Sequence, residues 1–376
     1  MRKTALLLSL ALTFAAALPA QDSVLPEHYR EPFAKSFPIR EQQHLQIKAY
    51  AEKLPPAQNK PALPPFAPDY SSVEAYTRSV APLRERLHAS FGVPPGAREG
   101  RLTRFERVGE DRHCTVYRVW IEVIDGVEAY GLYLLPKKLA GKAPLLIAQH
   151  GGGGNPEAIC DLDTREAYRG LVPEAVKRGY IVWAPALAMR CGYCNDPEIP
   201  GADREVLDRL LRRGGISIIG LELHKIIAST QALVKARPEI DPERIGMTGL
   251  SWGGFYTMYV TALSPFIKAA APAGYIKDYE DLAARAKAGK LGIPDRDIVN
   301  GVSHARAIAL ICPRPILVQM GEKDTVVPIA GARIEAGRAA APYRALGVGD
   351  RYRFHVHADG HVFDPPAILE FFARNL

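Results

Sequence analysis

The chain has 376 residues, of which 47% are hydrophobic and 24% charged. That is enough apolar material for one large domain plus an accessory segment, and it excludes a disordered polymer. The net charge of +7 is modest and scattered; its densest cluster, Arg209 to Arg213, reads as a solvated helix end, which rules out nucleic-acid binding as the main role.

In chain order, Met1-Arg2-Lys3, an apolar run from Ala5 to Ala17 and the exit Leu18-Pro19-Ala20 have the basic start, greasy middle and small-residue end of a secretory signal peptide. Cleavage is expected after Ala20, leaving a charge of +5 because residues 1–20 carry no acid. The run is shorter than the roughly 20 residues that a spanning helix needs, and no cysteine adjoins the exit to carry a lipid. The expected location is therefore periplasmic or secreted, without stable membrane insertion. Residues 21–100 form an accessory segment with a texture of their own. Helical patterns over Arg40 to Leu54 and Ser72 to Phe91 flank a proline-crowded stretch, Leu54 to Pro68, which should run extended over the main domain.

From residue 101 to 376 strand and helix patterns alternate. Cys114 to Ile124, the turn pair Asp125-Gly126 and Val127 to Leu135 read as an antiparallel hairpin. Ala143 to Gln149 is a short buried strand running into His150-Gly151-Gly152-Gly153-Gly154. A helix over Leu171 to Arg178 precedes the strand Tyr180 to Ala184, and Ile216 to Ala236 contains a long amphipathic helix. Arg244 to Thr248, Ile267 to Ala273, Pro315 to Met320 and Tyr352 to His357 complete the strands, and a terminal helix covers Pro365 to Arg374. Such alternation builds right-handed βαβ units and a parallel sheet whose ligands sit at the strands' C-terminal ends.

Three stations along this pattern carry chemistry. The run Gly249-Leu250-Ser251-Trp252-Gly253-Gly254 is a Gly-x-Ser-x-Gly turn between a strand and a helix, where a serine hydroxyl is held out at the sheet edge; Ser251 is the candidate nucleophile. Backbone N–H groups of Gly151 and Gly152, together with that of Trp252, are the candidate oxyanion donors, since glycine lets the backbone approach a bound atom closely. After the strand ending at Met320, Asp324 is the candidate acid, with Glu322 as the alternative. His361, beside Gly360 on the loop after the last strand, is the candidate general base. The loops Met189 to Gly215 and Tyr275 to Val302 are expected to shape the acyl and alcohol pockets.

Five cysteines leave at least one unpaired. Cys114 and Cys312 lie in apolar strand surroundings and read as core thiols. Cys191-Gly192-Tyr193-Cys194 lacks the second ligand pair of a zinc site, and a loop staple joining Cys160 to Cys191 or Cys194 is expected. His355-Val356-His357-Ala358-Asp359-Gly360-His361 approaches a His-x-His-x-Asp-His metal motif with one extra residue. Only 15 residues follow His361, too few to supply the later ligands, so no metal and no cofactor are expected. In a strand, His355 and His357 share one face and should line a solvated or substrate-facing edge.

The order Ser251, Asp324, His361 and the His-Gly-Gly-Gly-Gly run make the region from about residue 101 onward similar to the α/β-hydrolase superfamily, and within it to the branch of dienelactone-hydrolase-like and acetyl xylan esterase-like bacterial enzymes. The resemblance implies an α/β fold, a mostly parallel eight-stranded sheet flanked by helices, and a serine hydrolase that cleaves carboxylic esters, possible carbohydrate acetyl esters among them, through an acyl-enzyme. One departure is plain: dienelactone hydrolases carry a cysteine nucleophile where this chain has Ser251. Two alternatives stand beside it, a secreted serine peptidase of prolyl-oligopeptidase-like ancestry and a non-catalytic binding protein on a hydrolase fold. About 80 accessory residues are too few for a propeller of roughly 40-residue blades, which weighs against the first. The presence of all three triad candidates weighs against the second.

Overall fold

A computed structural model of the chain describes residues 25–57, 62–163, 166–189, 203–299 and 302–376. The expected signal peptide and the Cys191 and Cys194 pair lie outside the described residues. The strands are β1 (Arg101–Glu110), β2 (Cys114–Ile124), β3 (Val127–Pro136), β4 (Ala143–Gln149), β5 (Ile181–Pro185), β6 (Ile240–Leu250), β7 (Ala269–Ala273), β8 (Ile316–Gly321) and β9 (Tyr352–His357). They form one sheet in the order β1-β2-β3-β5-β4-β6-β7-β8-β9. From β5 to β9 every neighbour is parallel, and β1, β2 and β3 add an antiparallel ribbon.

Among the described residues nine strands therefore stand where the resemblance implied eight. The additional one is β1, an edge strand of exposed and half-buried residues whose apolar Leu102, Phe105 and Val108 recur every third position, across two register shifts, rather than alternating. Its Arg and Glu side chains resist pairing with other chains, and the two irregularities leave it without the period of two by which a strand is read.

The sheet is buried on both faces. Along β4, Leu145 and Ile147 join one core layer while Leu146 and Ala148 join the other; along β5, Ile181 and Trp183 oppose Val182 and Ala184 in the same way. This two-sided burial explains why the central strands read as continuous apolar runs. The first layer is closed by helices Ile218–Ala236 and Trp252–Leu263, the second by helices Leu171–Lys177 and Pro365–Asn375.

Helices α1 (Phe37–Glu52) and α2 (Val73–Phe91) occupy the two helical stretches of the accessory segment, and the described residues between them form no helix or strand. Ser72 caps α2 by accepting a hydrogen bond from the Ala75 N–H at 3.1 Å. Tyr76, Val80, Leu83, Leu87 and Phe91 of α2 enter the same core layer as the helix after β6. Arg84 donates to the Ala262 and Leu310 carbonyls, both at 2.9 Å, and so satisfies two backbone acceptors at helix ends.

Cys114, Cys160 and Cys312 are buried free thiols. The expected staple from Cys160 is not formed. That side chain points into the second core layer with Ala158 and Leu162, and burial raises its thiol well above the ordinary value, so it packs as a small apolar group.

Candidate active site

The site forms at the C-terminal ends of β4, β6, β7, β8 and β9. Ser251 closes the turn between β6 and the following helix with φ 62° and ψ −124°, one of only three non-glycine residues with positive φ among the described residues. An L-residue held there stores on the order of 1–3 kcal/mol of backbone strain. The turn closes because its flanking positions lack side chains: a Cβ on Gly253 would come within 2.1 Å of the Gln149 carbonyl oxygen, and one on Gly254 within 2.4 Å of that of Ala273. The Ser251 N–H donates to Ala273 O at 2.9 Å, fixing the elbow to the end of β7.

Asp324 and His361 meet beside this elbow. His361 Nδ1 lies 2.7 Å from Asp324 Oδ2, while Asp324 Oδ1 accepts the N–H groups of Val326 and Val327, both at 2.8 Å. Burial raises the Asp324 carboxyl, but the hydrogen bonds from His361 and the two amides outweigh it, and the net direction is below the ordinary carboxylate value. The ionised acid therefore holds the proton of His361 on Nδ1 and leaves Nε2 as the acceptor. The ring is seated against Gly274, where an added Cβ would stand 3.0 Å from Cε1 and 3.3 Å from Nδ1. Gly274 directly follows Ala273, the residue that anchors Ser251. Glu322, the alternative acid, instead accepts a hydrogen bond from Arg333 at 2.6 Å on the surface.

The glycine run after β4 packs onto the elbow from the other side. A Cβ on Gly151 would sit 2.7 Å from Leu250 O and 3.1 Å from Ser251 Cβ, and one on Gly152 would touch the Trp252 ring at 3.0 Å. The Gly151 N–H donates to the Tyr168 hydroxyl at 3.0 Å. The next amide, that of Gly152, makes no hydrogen bond among the described residues. Trp252 is the first residue of its helix, so its amide has no intrahelical acceptor. His150 stiffens the run: the Leu187 N–H donates to its Nε2 at 3.0 Å, which puts the ring proton on Nδ1, 2.9 Å from Gly151 O.

Several supporting residues escape sequence reasoning. Gln319, in mid-β8 and fully buried, donates to Val362 O at 2.9 Å and to His357 Nε2 at 3.0 Å, and accepts the Asp364 N–H at 2.9 Å. It thereby clamps both sides of the loop that carries His361. The available signal was a single amide interrupting the apolar run Ile316-Leu317-Val318-Gln319-Met320, since a polar side chain in a strand buried on both faces needs a dedicated partner. Replacing Gln319 by leucine is expected to lower kcat by about 10–100-fold with little change in KM, because a displaced base loses alignment with the nucleophile before it loses substrate. Steady-state kinetics on an ester substrate checks this.

Arg204 is a second such residue. It donates to both carboxylate oxygens of Glu222 and to the Tyr256 hydroxyl at 2.9 Å, and its guanidinium lies 5.0 Å over the Trp252 ring. Glu222 Oε1 also accepts the Ala188 N–H at 2.7 Å. This buried pair ties the helix Asp203–Arg213, the helix Ile218–Ala236, the elbow helix and the loop after β5 into one wall behind Trp252.

The histidines of β9 serve packing. His355 Nε2 pairs with Asp364 Oδ2 at 2.6 Å and His357 with Gln319, so both half-buried rings on this edge strand are already engaged by side chains of the chain. Among the described residues no group of three or more His, Cys, Asp or Glu side chains converges as a metal site would require.

The Tyr275–Val302 segment after β7 folds over a buried polar network. Lys277 and the Tyr275 hydroxyl both donate to Asp295, at 2.7 and 2.6 Å, and the Lys277 N–H donates to His304 Nδ1 at 3.0 Å. Burial lowers His304 to about 4, against the partial opposition of Glu335 and Asp295. Between about pH 6.5 and 4 the unfolded chain takes a proton at this ring that the folded chain refuses, so folding stability falls as pH falls through that window. The slope is about 1.4 kcal/mol per pH unit for one such group. Urea unfolding of the wild type and His304→Asn at neutral pH and near the lower limit is expected to show a smaller acid loss in the variant.

A mostly parallel sheet with helices on both faces, a strained serine elbow after a central strand, and an acid and histidine on the loops after the last two strands define an α/β-hydrolase. Residues 163–344 match the profile of the dienelactone hydrolase family. The matched stretch contains Ser251 and Asp324 and ends before His361. Over 262 residues the chain is 25% identical to YtaP of Bacillus subtilis (strain 168), described as a hydrolase, covering 67% of this chain and 84% of that protein. A Bacteroides fragilis NCTC 9343 protein described as an acetyl xylan esterase superposes with a TM-score of 0.61 at 18% identity, over 83% of this chain and 81% of that one. A glucuronoyl esterase from Solibacter usitatus superposes at 0.56 with 17% identity, over 85% and 98% of the two chains.

Proposed function

We propose that the protein is an exported serine esterase that cleaves carboxylic esters, carbohydrate esters among them, by transferring the acyl group to Ser251 and then to water. The observation that carries this reading is the Asp324–His361 contact, with the imidazole seated on Gly274 next to the strained serine. In the first step His361 Nε2 accepts the Ser251 hydroxyl proton as the oxygen attacks the ester carbonyl, and Asp324 stabilises the imidazolium that forms. The N–H groups of Trp252 and Gly152 receive the developing oxyanion; the Gly151 amide contributes indirectly, since Tyr168 holds it and with it the course of the glycine run. His361 then protonates the leaving alcohol. In the second step it removes a proton from water, which attacks the acyl carbon, and returns that proton to the Ser251 oxygen as its bond to the acyl carbon breaks. Every proton moves between side chains of the chain and the substrate, so the cycle needs no cofactor.

The carbohydrate part of the reading is supported by the fold's likeness to proteins described as acetyl xylan and glucuronoyl esterases, and export by the residue 1–20 pattern. A panel of aryl acetate, longer aryl acylate, acetylated xylan, uronate methyl ester and aminoacyl anilide tests it. Turnover of one or more esters with none of the anilide is the expected result. Anilide cleavage exceeding ester cleavage would support the peptidase reading instead, and inertness toward the whole panel the binding-protein reading.

A further inference from the structure

Opposite the catalytic edge, at the end where β4 and β5 begin, lies a second cavity of about 590 Å³. Its wall is made by three separate pieces of chain: the β1–β2 turn supplies Arg112 and His113, the residues after β3 supply Lys138, and the end of the helix before β5 supplies Lys177 and Arg178. Among the described residues no acidic side chain lines it. Three carboxylates stand around it: Glu27 meets Arg112 at 3.4 Å, His113 at 2.8 Å and Lys177 at 3.8 Å, Glu174 meets Lys177 at 3.0 Å on the rim, and Asp111 accepts the His113 N–H at 2.7 Å. Lys138 and Arg178 have no carboxylate partner among the described residues.

A solvated helix end accounts for part of this, because Lys177 and Arg178 complement the negative end of their helix. It does not account for Arg112 and Lys138, which arrive from a turn and a strand end and face the same hollow. A concave surface lined by one sign of charge focuses the field into its interior, and the volume is that of a small-ligand site. Its uncharged walls are Pro136, Val176 and Gly179, with no aromatic face on which a neutral sugar could stack.

We propose that this cavity is an oligoanion site, taking one molecule that carries two or more phosphate or carboxylate groups, held by Arg112, Lys138, Lys177 and Arg178. The site is separate from Ser251 and independent of the hydrolytic reading. Isothermal titration calorimetry on the Ser251→Ala chain tests it, with tripolyphosphate, trigalacturonate and neutral xylotriose as probes. The expected result is saturable one-site binding of at least one of the two anionic probes and none of xylotriose, weakened when about 0.3 M salt is added. The anion that binds more tightly identifies whether the natural source is a phosphate compound or an acidic saccharide. The double variant Lys138→Glu/Arg178→Glu is expected to weaken binding about tenfold or more, and Lys138→Gln/Arg178→Gln to weaken it less; both residues are exposed, and circular dichroism checks that both variants fold. Absence of saturable binding by either anion, or binding that folded double variants leave unchanged, overturns the proposal. Neither result bears on ester turnover.

Discussion

Replacing Ser251 by alanine is expected to lower ester turnover by about 10⁵–10⁶-fold while leaving the folded chain intact. On the proposed reading the loss is large because His361, Asp324 and the oxyanion amides act on a bond that only the serine oxygen can form; once it is gone, the remaining groups can at most polarise a carbonyl for water. The same position carries a second expectation of opposite sign. Its φ of 62° is unfavourable for any side chain with a Cβ, so Ser251→Gly should be as inactive as Ser251→Ala and yet unfold at higher denaturant concentration, by about 1 kcal/mol. Kinetics on an aryl acetate and urea melts of the two variants check both statements. Equal stability of the two would mean that the elbow is not strained.

Converting Asp324 to asparagine is expected to cost about 10³–10⁴-fold in kcat. The carboxylate now accepts three hydrogen bonds, from His361 and from the amides of Val326 and Val327. An asparagine that keeps its oxygen on the two amides turns its NH₂ toward His361, and the ring must then accept at Nδ1 and carry its proton on Nε2, where it cannot take the serine proton. The pH dependence of stability should change as well. Because the folded carboxyl lies below its ordinary value, Asp324 stabilises the fold above the unfolded-state pKa and loses that contribution as pH falls through the folded one. Stability of Asp324→Asn should therefore fall less steeply than that of the wild type as pH is lowered through the carboxylate range, a difference read from urea unfolding of the two proteins at neutral and acid pH.

Much of this arrangement was legible in the residues because the chemistry imposes local rules. Ser251 needed glycine on both sides, the central strands needed continuous apolar runs, and the acid and histidine had to follow strands late in the chain. What was not legible depended on packing between distant segments. β1 was missed because its two register shifts space Leu102, Phe105 and Val108 three apart, which breaks the alternation by which a strand is read. Pairing of Cys160 was expected from the oxidising compartment that export implies, yet the chain turns that thiol into the second core layer. The histidines of β9 looked available for substrate or metal, but Asp364 and Gln319 reach them from a loop and a neighbouring strand. Gly321 was likewise missed: a Cβ there would stand 2.1 Å from Gly360 O, so the acid loop and the histidine loop can press backbone to backbone only because that position is glycine.

The proposed acyl-enzyme chemistry and substrate class both presuppose that Ser251 is the group that takes the acyl chain. Peptide mass mapping after treatment with a fluorophosphonate tests that most directly. The account predicts one covalent adduct per chain, on the peptide bearing Ser251, with its formation slowed in Asp324→Asn and absent in Ser251→Ala. An adduct on another residue, or ester hydrolysis that persists undiminished in Ser251→Ala, would contradict it.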